Sequence, residues 1–177
     1  VLNTVSAYLG CWPRLYSYQF WETKITPENQ QKVWSQNWHR DPEDKKLLNL
    51  FIYFSDVDED SGPFRYIPGS QMGGEYEKFF PQQLPPRASY PNPLQFSSEL
   101  VRQKISTKTC IAPTNTAIWA DTCALHRGGD STKKSRLMFK ALYTTAGAFK
   151  GDKVPYTLPA VLPEGLTKQQ LYAIKAI

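Results

Sequence analysis

The chain has 177 residues, of which 41% are hydrophobic and 21% charged, and these proportions predict a globular domain with a buried core. The net charge of +5 comes from scattered basic residues, which favours a solvated surface over a nucleic-acid-binding patch. Three widely spaced cysteines argue against a disulfide framework or a zinc ribbon and favour reduced thiols in the cytoplasm. No apolar run reaches the length of a membrane span and no signal peptide is visible, while the start at Val1 is compatible with a truncated N-terminus.

The first part of the chain combines a short apolar segment with aromatic alternation. Residues 1–11 fit either a short helix or a strand, whereas residues 14–26 alternate and are rich in Tyr, Phe and Trp, which predicts a strand. A turn or short helix follows up to Trp34, and residues 35–39 are predicted to end a strand. Pro42 lacks an N–H group and fixes φ, so it places the preceding Asp41 where strand gives way to loop.

The segment 46–54 is predicted to be a strand because its side chains separate into two faces. One face is apolar and is expected to pack against outer elements. The other face is aromatic with polar atoms and is expected to line an interior. The outward set is Leu48, Leu50, Ile52 and Phe54, and the inward set is Asn49, Phe51 and Tyr53.

The rest of the chain alternates short strands with turns. Residues 71–97 contain five prolines and a Gly-Gly pair, and this irregular excursion is expected to form the variable wall of a site. The other predicted elements are an acidic turn over 56–62, a helix or strand over 98–107, strands over 63–68, 109–111, 116–120 and 135–145, and a short helix that Thr167 and Gln170 open within a C-terminal extension, 151–177.

Many short strands and few helices predict a mainly β fold. We expect a double-stranded β-helix, that is, a cupin-like jelly roll, with a few peripheral helices and one domain over residues 1–177. In the strand over 135–145, alternation places Arg136, Met138, Lys140 and Leu142 on one side.

The chain contains only two histidines, His39 and His126. His39 opens a His-Arg-Asp triplet at a predicted strand end, and His126 lies beside a Gly-Gly turn. Two imidazoles and one carboxylate form a facial triad, which leaves three positions open on an octahedral ion and is typical of non-haem Fe(II) oxygenases. We therefore predict that His39, Asp41 and His126 bind a metal, although a His-x-Asp triplet alone also fits a surface turn.

Arg136 is predicted to face the same interior as the triad. An iron oxygenase that uses 2-oxoglutarate needs a fixed cation for the distal carboxylate, and the planar guanidinium group can bind a carboxylate with two hydrogen bonds. Considered alone, Arg136 fits a surface ion pair better, so its assignment depends on the triad.

Several segments together resemble the phytanoyl-CoA dioxygenase-like family of Fe(II)/2-oxoglutarate-dependent oxygenases. The most specific is GPFRYIPGS, residues 62–70. The others are the His39-Arg40-Asp41 triplet, LLNLFIYF at 47–54, the segment from Asp121 to Leu125-His126, and Arg136. The resemblance covers roughly residues 35–145 and leaves out the first 34 residues, the Pro-rich excursion and the C-terminal tail.

The resemblance implies a role for each matching residue. His39, Asp41 and His126 become Fe(II) ligands, and Arg136 becomes the partner of the C5 carboxylate of 2-oxoglutarate. Phe51 is placed beside the cosubstrate, and Asn37 is placed to donate to its C1 carboxylate. Family members often carry Ser or Thr two residues after the distal histidine, where this chain has Gly128. Another hydroxyl, from Thr116 or Tyr53, is the expected substitute.

The implied reaction consumes 2-oxoglutarate and O₂, releases succinate and CO₂, and hydroxylates a small-molecule substrate. The presence of Asp41 argues against halogenation, because related halogenases lack this carboxylate. Candidate substrate contacts beside the motifs are Arg40, Arg65 and Gln71, with Trp38 and Lys140 as further candidates, and an ordinary surface or packing role fits each of them as well. No nucleic-acid or membrane partner is expected, and the sequence leaves the substrate and the oligomeric state open.

Three other functions are compatible with the same residues. A cupin-type metal enzyme would use the triad without 2-oxoglutarate and would make no demand on Arg136. A ligand-binding β-sandwich would make the His-x-Asp triplet incidental. Zinc-dependent hydrolysis is less favoured, because zinc usually needs a four-coordinate ligand set and a nearby general base.

Overall fold

The structure is a computed structural model that describes residues 1–27, 34–79, 93–149 and 157–177. Within these ranges strands predominate, as the sequence predicts. The helices are α1 (Leu2–Leu9), α2 (Pro93–Arg102) and α3 (Lys168–Ala173), and the strands are β1 (Arg14–Thr23), β2 (Leu47–Tyr53), β3 (Phe64–Tyr66), β4 (Lys108–Cys110), β5 (Ala117–Ala120), β6 (His126–Gly128) and β7 (Arg136–Thr144), with 3-10 helices at Trp34–Gln36 and Glu77–Phe79.

Two antiparallel sheets form the body of the fold. The larger sheet has the strand order β1-β7-β2-β5, and the smaller has the order β4-β3-β6. Isolated bridges extend the smaller sheet, among them one between Val57 and Ala112 and one between Ser61 and Ser131. Neighbouring strands that are distant in sequence are the mark of a jelly roll, so the predicted double-stranded β-helix is confirmed.

The two faces of β2 separate as predicted. Leu48 and Leu50 point outward and form a buried cluster with Val5 and Leu9 of α1, so this helix covers one end of the larger sheet. Phe51 and Tyr53 point inward, where they pack with Phe64, Met138 and Val57 between the sheets. Phe54 departs from the prediction, because its side chain is 47% exposed and contacts only the edge of the Phe20 ring among the aromatic pairs described.

Several local predictions are now settled. Residues 2–9 are helical rather than extended, and the Thr167–Gln170 capping box is confirmed at the start of α3. The helical interpretation of 98–107 is correct only to Arg102, and the helix begins at Pro93, inside the segment expected to be irregular.

Two corrections bear directly on the site. Residues 35–39 do not form a strand end: a 3-10 helix occupies Trp34–Gln36, and His39 makes a single bridge. His126, expected beside a turn, instead begins strand β6. Pairing with the backbone of His39 accounts for the extended conformation of His126, whereas the chain before His39 is helical and contributes only this one bridge.

The parts of the excursion and tail that lie at 80–92 and 150–156, and the predicted turn at 28–33, fall outside the described residues. Among the described helices, none combines the length and apolar character needed to cross a membrane.

Candidate metal centre

Backbone pairing brings the three predicted metal ligands together. His39 and His126 exchange two N–H···O hydrogen bonds of 3.0 Å each, so a narrow bridge fixes the two histidine backbones side by side. The N–H of Asp41 donates to the carbonyl of Thr122 at 2.9 Å, which pins the third residue to the same loop that precedes His126. Residues 39–41 and 122–126 therefore meet although more than eighty residues separate them.

The side chains of the triad converge on one point. The Nε2 atoms of His39 and His126 lie 3.8 Å and 3.7 Å from Oδ1 of Asp41, and the two ring centroids are 4.2 Å apart. All three potential ligand atoms lie within 4.8 Å of one another. This spacing suits three ligands on one face of a single metal ion.

Each imidazole is oriented by a backbone carbonyl. Nδ1 of His39 lies 2.7 Å from the carbonyl oxygen of Asn37, and Nδ1 of His126 lies 3.0 Å from that of Ala124. A carbonyl can only accept, so each Nδ1 carries the proton and donates it. The lone pair of each Nε2 is consequently directed at the point shared with Asp41, as in histidines that bind metals.

The second oxygen of Asp41 is held by donors. Oδ2 accepts hydrogen bonds from Thr122 Oγ1 at 2.7 Å and from Asn49 Nδ2 at 3.1 Å, and Nζ of Lys140 lies 3.2 Å away. Oδ1, by contrast, faces the two histidines. Oδ2 is thus held by hydrogen bonds within the protein, while Oδ1 faces the point where a ligand could bind.

The protonation states favour cation binding. Burial raises the pKa of Asp41, but the ammonium group of Lys140 and the hydrogen bond from Thr122 lower it by more, so the net pKa is well below its usual range. Burial lowers the pKa of His126 to about 3. At neutral pH the centre therefore presents an ionised carboxylate and a neutral His126 imidazole, which are the forms that bind metals.

A cavity of about 170 Å³ opens onto the triad between the two sheets. Its walls are mostly aromatic and apolar, with a basic residue at either end of the inward row of β7. The lining residues are Gln19, Trp21, Thr23, Ser35, Gln36, His39, Phe51, Phe64, His126, Gly128, Gly129, Arg136, Met138 and Lys140. A concave, largely apolar pocket with a few convergent polar groups is the usual form of a small-molecule site.

Arg136 lines this cavity and is 3% exposed. Its Nη2 atom lies 3.5 Å from Oγ1 of Thr23, and its guanidinium carbon lies 5.9 Å from the centre of the Tyr53 ring. Its Nε and Nη1 atoms have no hydrogen-bond partner among the described residues. Burial lowers the pKa of the guanidinium. A buried cation with two unsatisfied donors is a site suited to a carboxylate.

Some of the other site residues predicted from the sequence line the cavity, and others lie away from it. Phe51 and Lys140 line the cavity as expected. Asn37 is exposed, and its carbonyl oxygen lies 2.7 Å from Nδ1 of His39. Arg40 is buried, but it donates to the carbonyls of Ser70 and Cys123, so it ties two loops together behind the site.

The remaining candidates also lie away from the cavity. Arg65 forms a surface ion pair with Glu59, with 2.6 Å between Nη2 and Oε2. Neither Gln71 nor Thr116 belongs to the cavity lining, and Trp38 packs against Phe96 in a separate cluster. Two hydroxyl-bearing side chains come near Arg136. Tyr53, which the sequence offered as a substitute, interacts with the guanidinium group, and Thr23, which the sequence did not indicate, places its Oγ1 3.5 Å from Nη2.

Sequence reasoning also missed the contribution of β1 and the partners of Asp41. Gln19, Trp21 and Thr23 occupy alternate positions of β1 and all line the cavity, so the alternation that predicted the strand could have identified them. Thr122 has no comparable signal, because its contact with Asp41 spans 81 residues.

Two antiparallel sheets that enclose a buried cluster of two histidines and one carboxylate define a jelly-roll protein with a facial-triad centre. Comparison with known families agrees. The chain belongs to the phytanoyl-CoA dioxygenase (PhyH) family, whose sequence profile matches residues 2–136. The match begins well before Ser35, so the family resemblance extends over the N-terminal segment that the motifs alone left uncovered.

Solved structures share the fold. SnoN, described as the non-haem α-ketoglutarate-dependent epimerase from nogalamycin biosynthesis, has a TM-score of 0.60 and 19% identity over 94% of this chain. EctD from S. alaskensis, solved with 2-oxoglutarate and 5-hydroxyectoine, has a TM-score of 0.58 and 16% identity over 82% of this chain. At these identities the likeness shows a common fold.

The chain is shorter than these proteins. It spans 66% of SnoN and 49% of EctD. No curated protein sequence matches this chain.

Proposed function

We propose that the protein is an Fe(II)/2-oxoglutarate-dependent oxygenase that hydroxylates a small-molecule substrate and releases succinate and CO₂. One observation carries the proposal. His39 and His126 of the His-Asp-His cluster line the same cavity as Arg136, a buried arginine with two unsatisfied donors. Membership of the phytanoyl-CoA dioxygenase family and the fold shared with SnoN and EctD support it.

The donor set fits iron better than the alternatives. His39 and His126 would each supply Nε2, and Asp41 would supply Oδ1. Two imidazoles and one carboxylate with free neighbouring positions are the ligand set of non-haem iron oxygenases. Structural zinc takes a fourth protein ligand, and catalytic zinc, which takes three protein ligands and a water, needs a general base beside that water. Within the described residues, no further His, Cys, Asp or Glu joins the three-residue cluster.

The cavity also fits a dicarboxylate. Arg136 would bind the distal carboxylate of 2-oxoglutarate through its unsatisfied Nε and Nη1, and the hydroxyl of Thr23 lies close enough to Nη2 to help fix that end. The aromatic ring of Phe51 lies on the inward face of β2 and would form one wall beside the carbon chain. These contacts account for the position of Arg136 without any surface ion pair.

When bound, iron with 2-oxoglutarate and O₂ supplies the oxidising chemistry, namely decarboxylation to succinate and oxidation of a substrate C–H bond. The protein's own residues supply orientation and a dry site. The carbonyls of Asn37 and Ala124 hold the two imidazoles in one tautomer. Phe51, Phe64 and Met138 form an apolar wall that excludes water from the reacting atoms.

Hydroxylation and epimerisation are the two outcomes to be separated, because SnoN is described as an epimerase. Both begin with removal of a hydrogen from carbon, but only hydroxylation adds an oxygen atom to the product. The mass of the product therefore decides between them once a substrate is found. Asp41 occupies the position that halogenases leave for chloride, so halogenation is not expected.

The decisive experiment is anaerobic titration of the metal-free protein with Fe(II) and then 2-oxoglutarate. We expect a visible charge-transfer band that requires both, followed by succinate release when O₂ and a substrate library are supplied. Asp41→Asn should abolish the band and remove stoichiometric iron. Asp60→Asn is the matched control, since Asp60 pairs with Lys133 on the surface and should leave the band unchanged.

Two results would reject the proposal in different ways. Iron binding without any effect of 2-oxoglutarate would favour the cupin-type enzyme that makes no use of this cosubstrate. Failure to bind iron, with the same metal content in the wild type and in Asp41→Asn, would favour a ligand-binding β-sandwich.

A further inference from the structure

Lys140 lies beside the triad, although it is not one of the proposed metal ligands. It lies on the inward row of β7, opposite Phe51 of β2 and Gln19 of β1 in the strand register. Its Nζ is 3.2 Å from Oδ2 of Asp41 and 5.9 Å from the centre of the Phe51 ring. Among the described residues, Asp41 is the only carboxylate within ion-pair distance of this ammonium group. The ammonium group therefore lies next to Oδ2 of Asp41, the oxygen that does not face the two histidines.

We propose that Lys140 is a positioning residue of the metal centre, which restricts Asp41 to a single coordinating oxygen and lowers the affinity of the centre for a divalent cation. The inference rests on the proposed function, since it concerns the same three ligands. It goes beyond that function by giving a role to a charge that neither iron nor 2-oxoglutarate requires.

The hydrogen-bond pattern shows why a lysine has a distinct effect. Thr122 and Asn49 also donate to Oδ2, and both of these groups are neutral. Lys140 adds a third donor, so Oδ2 is fully engaged and is withdrawn from the point where the two Nε2 atoms converge. A carboxylate with both oxygens free can bind an ion in a bidentate manner, which would occupy one of the positions that a facial triad leaves open.

The charge has a second consequence. Asp41 is 9% exposed and the Lys140 side chain is 21% exposed, so water and salt screen their interaction only weakly. In the metal-free protein, Lys140 balances the charge of Asp41 and keeps the centre assembled. When a divalent cation approaches Oδ1, the same ammonium group repels it. Removing the charge should therefore make the metal-free protein less stable and the metal complex tighter.

A role in binding an anionic ligand predicts a different result for the Lys140 variants. Lys140 also lines the cavity, so it could bind an anionic group of the cosubstrate or substrate. In that case its removal would weaken the binding of 2-oxoglutarate and leave the affinity for the metal alone unchanged. The sign of the change in metal affinity thus separates a positioning residue from a ligand-binding residue.

The test is calorimetric titration of the metal-free protein with Co(II) alone, with Lys140→Met as the main variant. We expect the dissociation constant for Co(II) to fall roughly tenfold or more, because a repulsive charge near the ion is lost. The melting temperature of the metal-free variant should fall, and its increase on adding Co(II) should exceed that of the wild type. Lys140→Arg keeps the charge and should bind Co(II) within about threefold of the wild type.

Two further variants complete the design. Lys108→Met is the matched control, because Lys108 is an exposed lysine on strand β4, and it should change neither quantity. Lys140→Gln repeats the measurement with a shorter neutral side chain if Lys140→Met does not fold.

An unchanged or larger dissociation constant for Co(II) in the neutral variants would overturn the inference. A wild type that binds Co(II) but shows no band with Fe(II) and 2-oxoglutarate would reject the proposed function and leave the result on Lys140 standing. A wild type that binds no Co(II) would overturn both.

Discussion

Replacing Arg136 by Met gives the sharpest test of the cosubstrate assignment, because two of its effects should have opposite signs. The variant removes the guanidinium charge and keeps a long unbranched side chain in the same place. We expect much weaker binding of 2-oxoglutarate together with a more stable metal-free protein.

The magnitude of the binding loss follows from the unsatisfied donors. Nε and Nη1 of Arg136 can make two charge-assisted hydrogen bonds to a carboxylate, each worth about 1.5–3 kcal/mol. Losing both leaves the carboxylate in a cavity with little water, so we expect a loss of about 3–5 kcal/mol. This loss corresponds to a rise of roughly 10² to 4 × 10³ in the dissociation constant of 2-oxoglutarate.

The gain in stability follows from the same atoms. Arg136 is 3% exposed and its charge has no carboxylate partner among the described residues, so its burial costs free energy in the metal-free protein. Replacement by an apolar side chain should raise the free energy of unfolding by about 1–3 kcal/mol. For a chain of this size, the melting temperature should rise by about 2–10 °C.

The assay combines anaerobic titration of the iron-loaded protein with 2-oxoglutarate and thermal unfolding of the metal-free protein. Arg65→Met is the control, because Arg65 lies on a strand but pairs with Glu59 outside the cavity. Its affinity for 2-oxoglutarate should stay within about twofold of the wild type, as expected of a surface ion pair. Unchanged cosubstrate affinity in Arg136→Met, or a fall of several degrees in its melting temperature, would refute the reasoning.

Two further predictions concern stability. In the metal-free protein, burial lowers the pKa of His126 from 6.5 to about 3. Between these pH values the unfolded chain binds a proton that the folded chain does not. The free energy of unfolding should therefore fall as the pH is lowered from 6.5 to 3, by up to roughly 1.4 kcal/mol per pH unit. Urea unfolding in a chelator should show a smaller pH dependence for His126→Gln, and equal slopes would contradict the assignment. Gly129→Ala places a Cβ 2.6 Å from the Pro63 carbonyl oxygen and should cost about 1–3 kcal/mol in urea unfolding. Gly147→Ala, whose nearest neighbour atom is 3.7 Å away, is its control, and equal stability of the two variants would exclude a steric cost.

Two substrate candidates, Arg40 and Arg65, lie away from the cavity for the same reason. Each adjoins a motif residue along the chain, but in extended chain the next residue points in the opposite direction. Arg65 follows the inward Phe64 and consequently points to the surface. Arg40 lies between two proposed ligands and points away from both, to the carbonyls of Ser70 and Cys123. Strict alternation excludes these two arginines from the cavity wall.

Local patterns in the amino-acid sequence are enough to predict several parts of the site. Alternation places Phe51 on the inward face of β2 and places Arg136 and Lys140 on the same side of β7, and all three side chains line the cavity. The scarcity of histidine leaves His39 and His126 as the only imidazoles. Both signals are short-range or compositional, so they can be interpreted without knowing which strands pair.

How these parts come together depends on long-range contacts of the fold. The bridge between His39 and His126, the contacts of Asp41 with Thr122 and Lys140, and the approach of Thr23 to Arg136 each join residues about 80 to 115 positions apart. Such contacts depend on sheet order and register, which hydrophobic periodicity does not encode. The sequence therefore singled out the candidate metal ligands and the candidate cosubstrate arginine, while long-range strand pairing determined which oxygen of Asp41 faces the histidines and which is held by the protein.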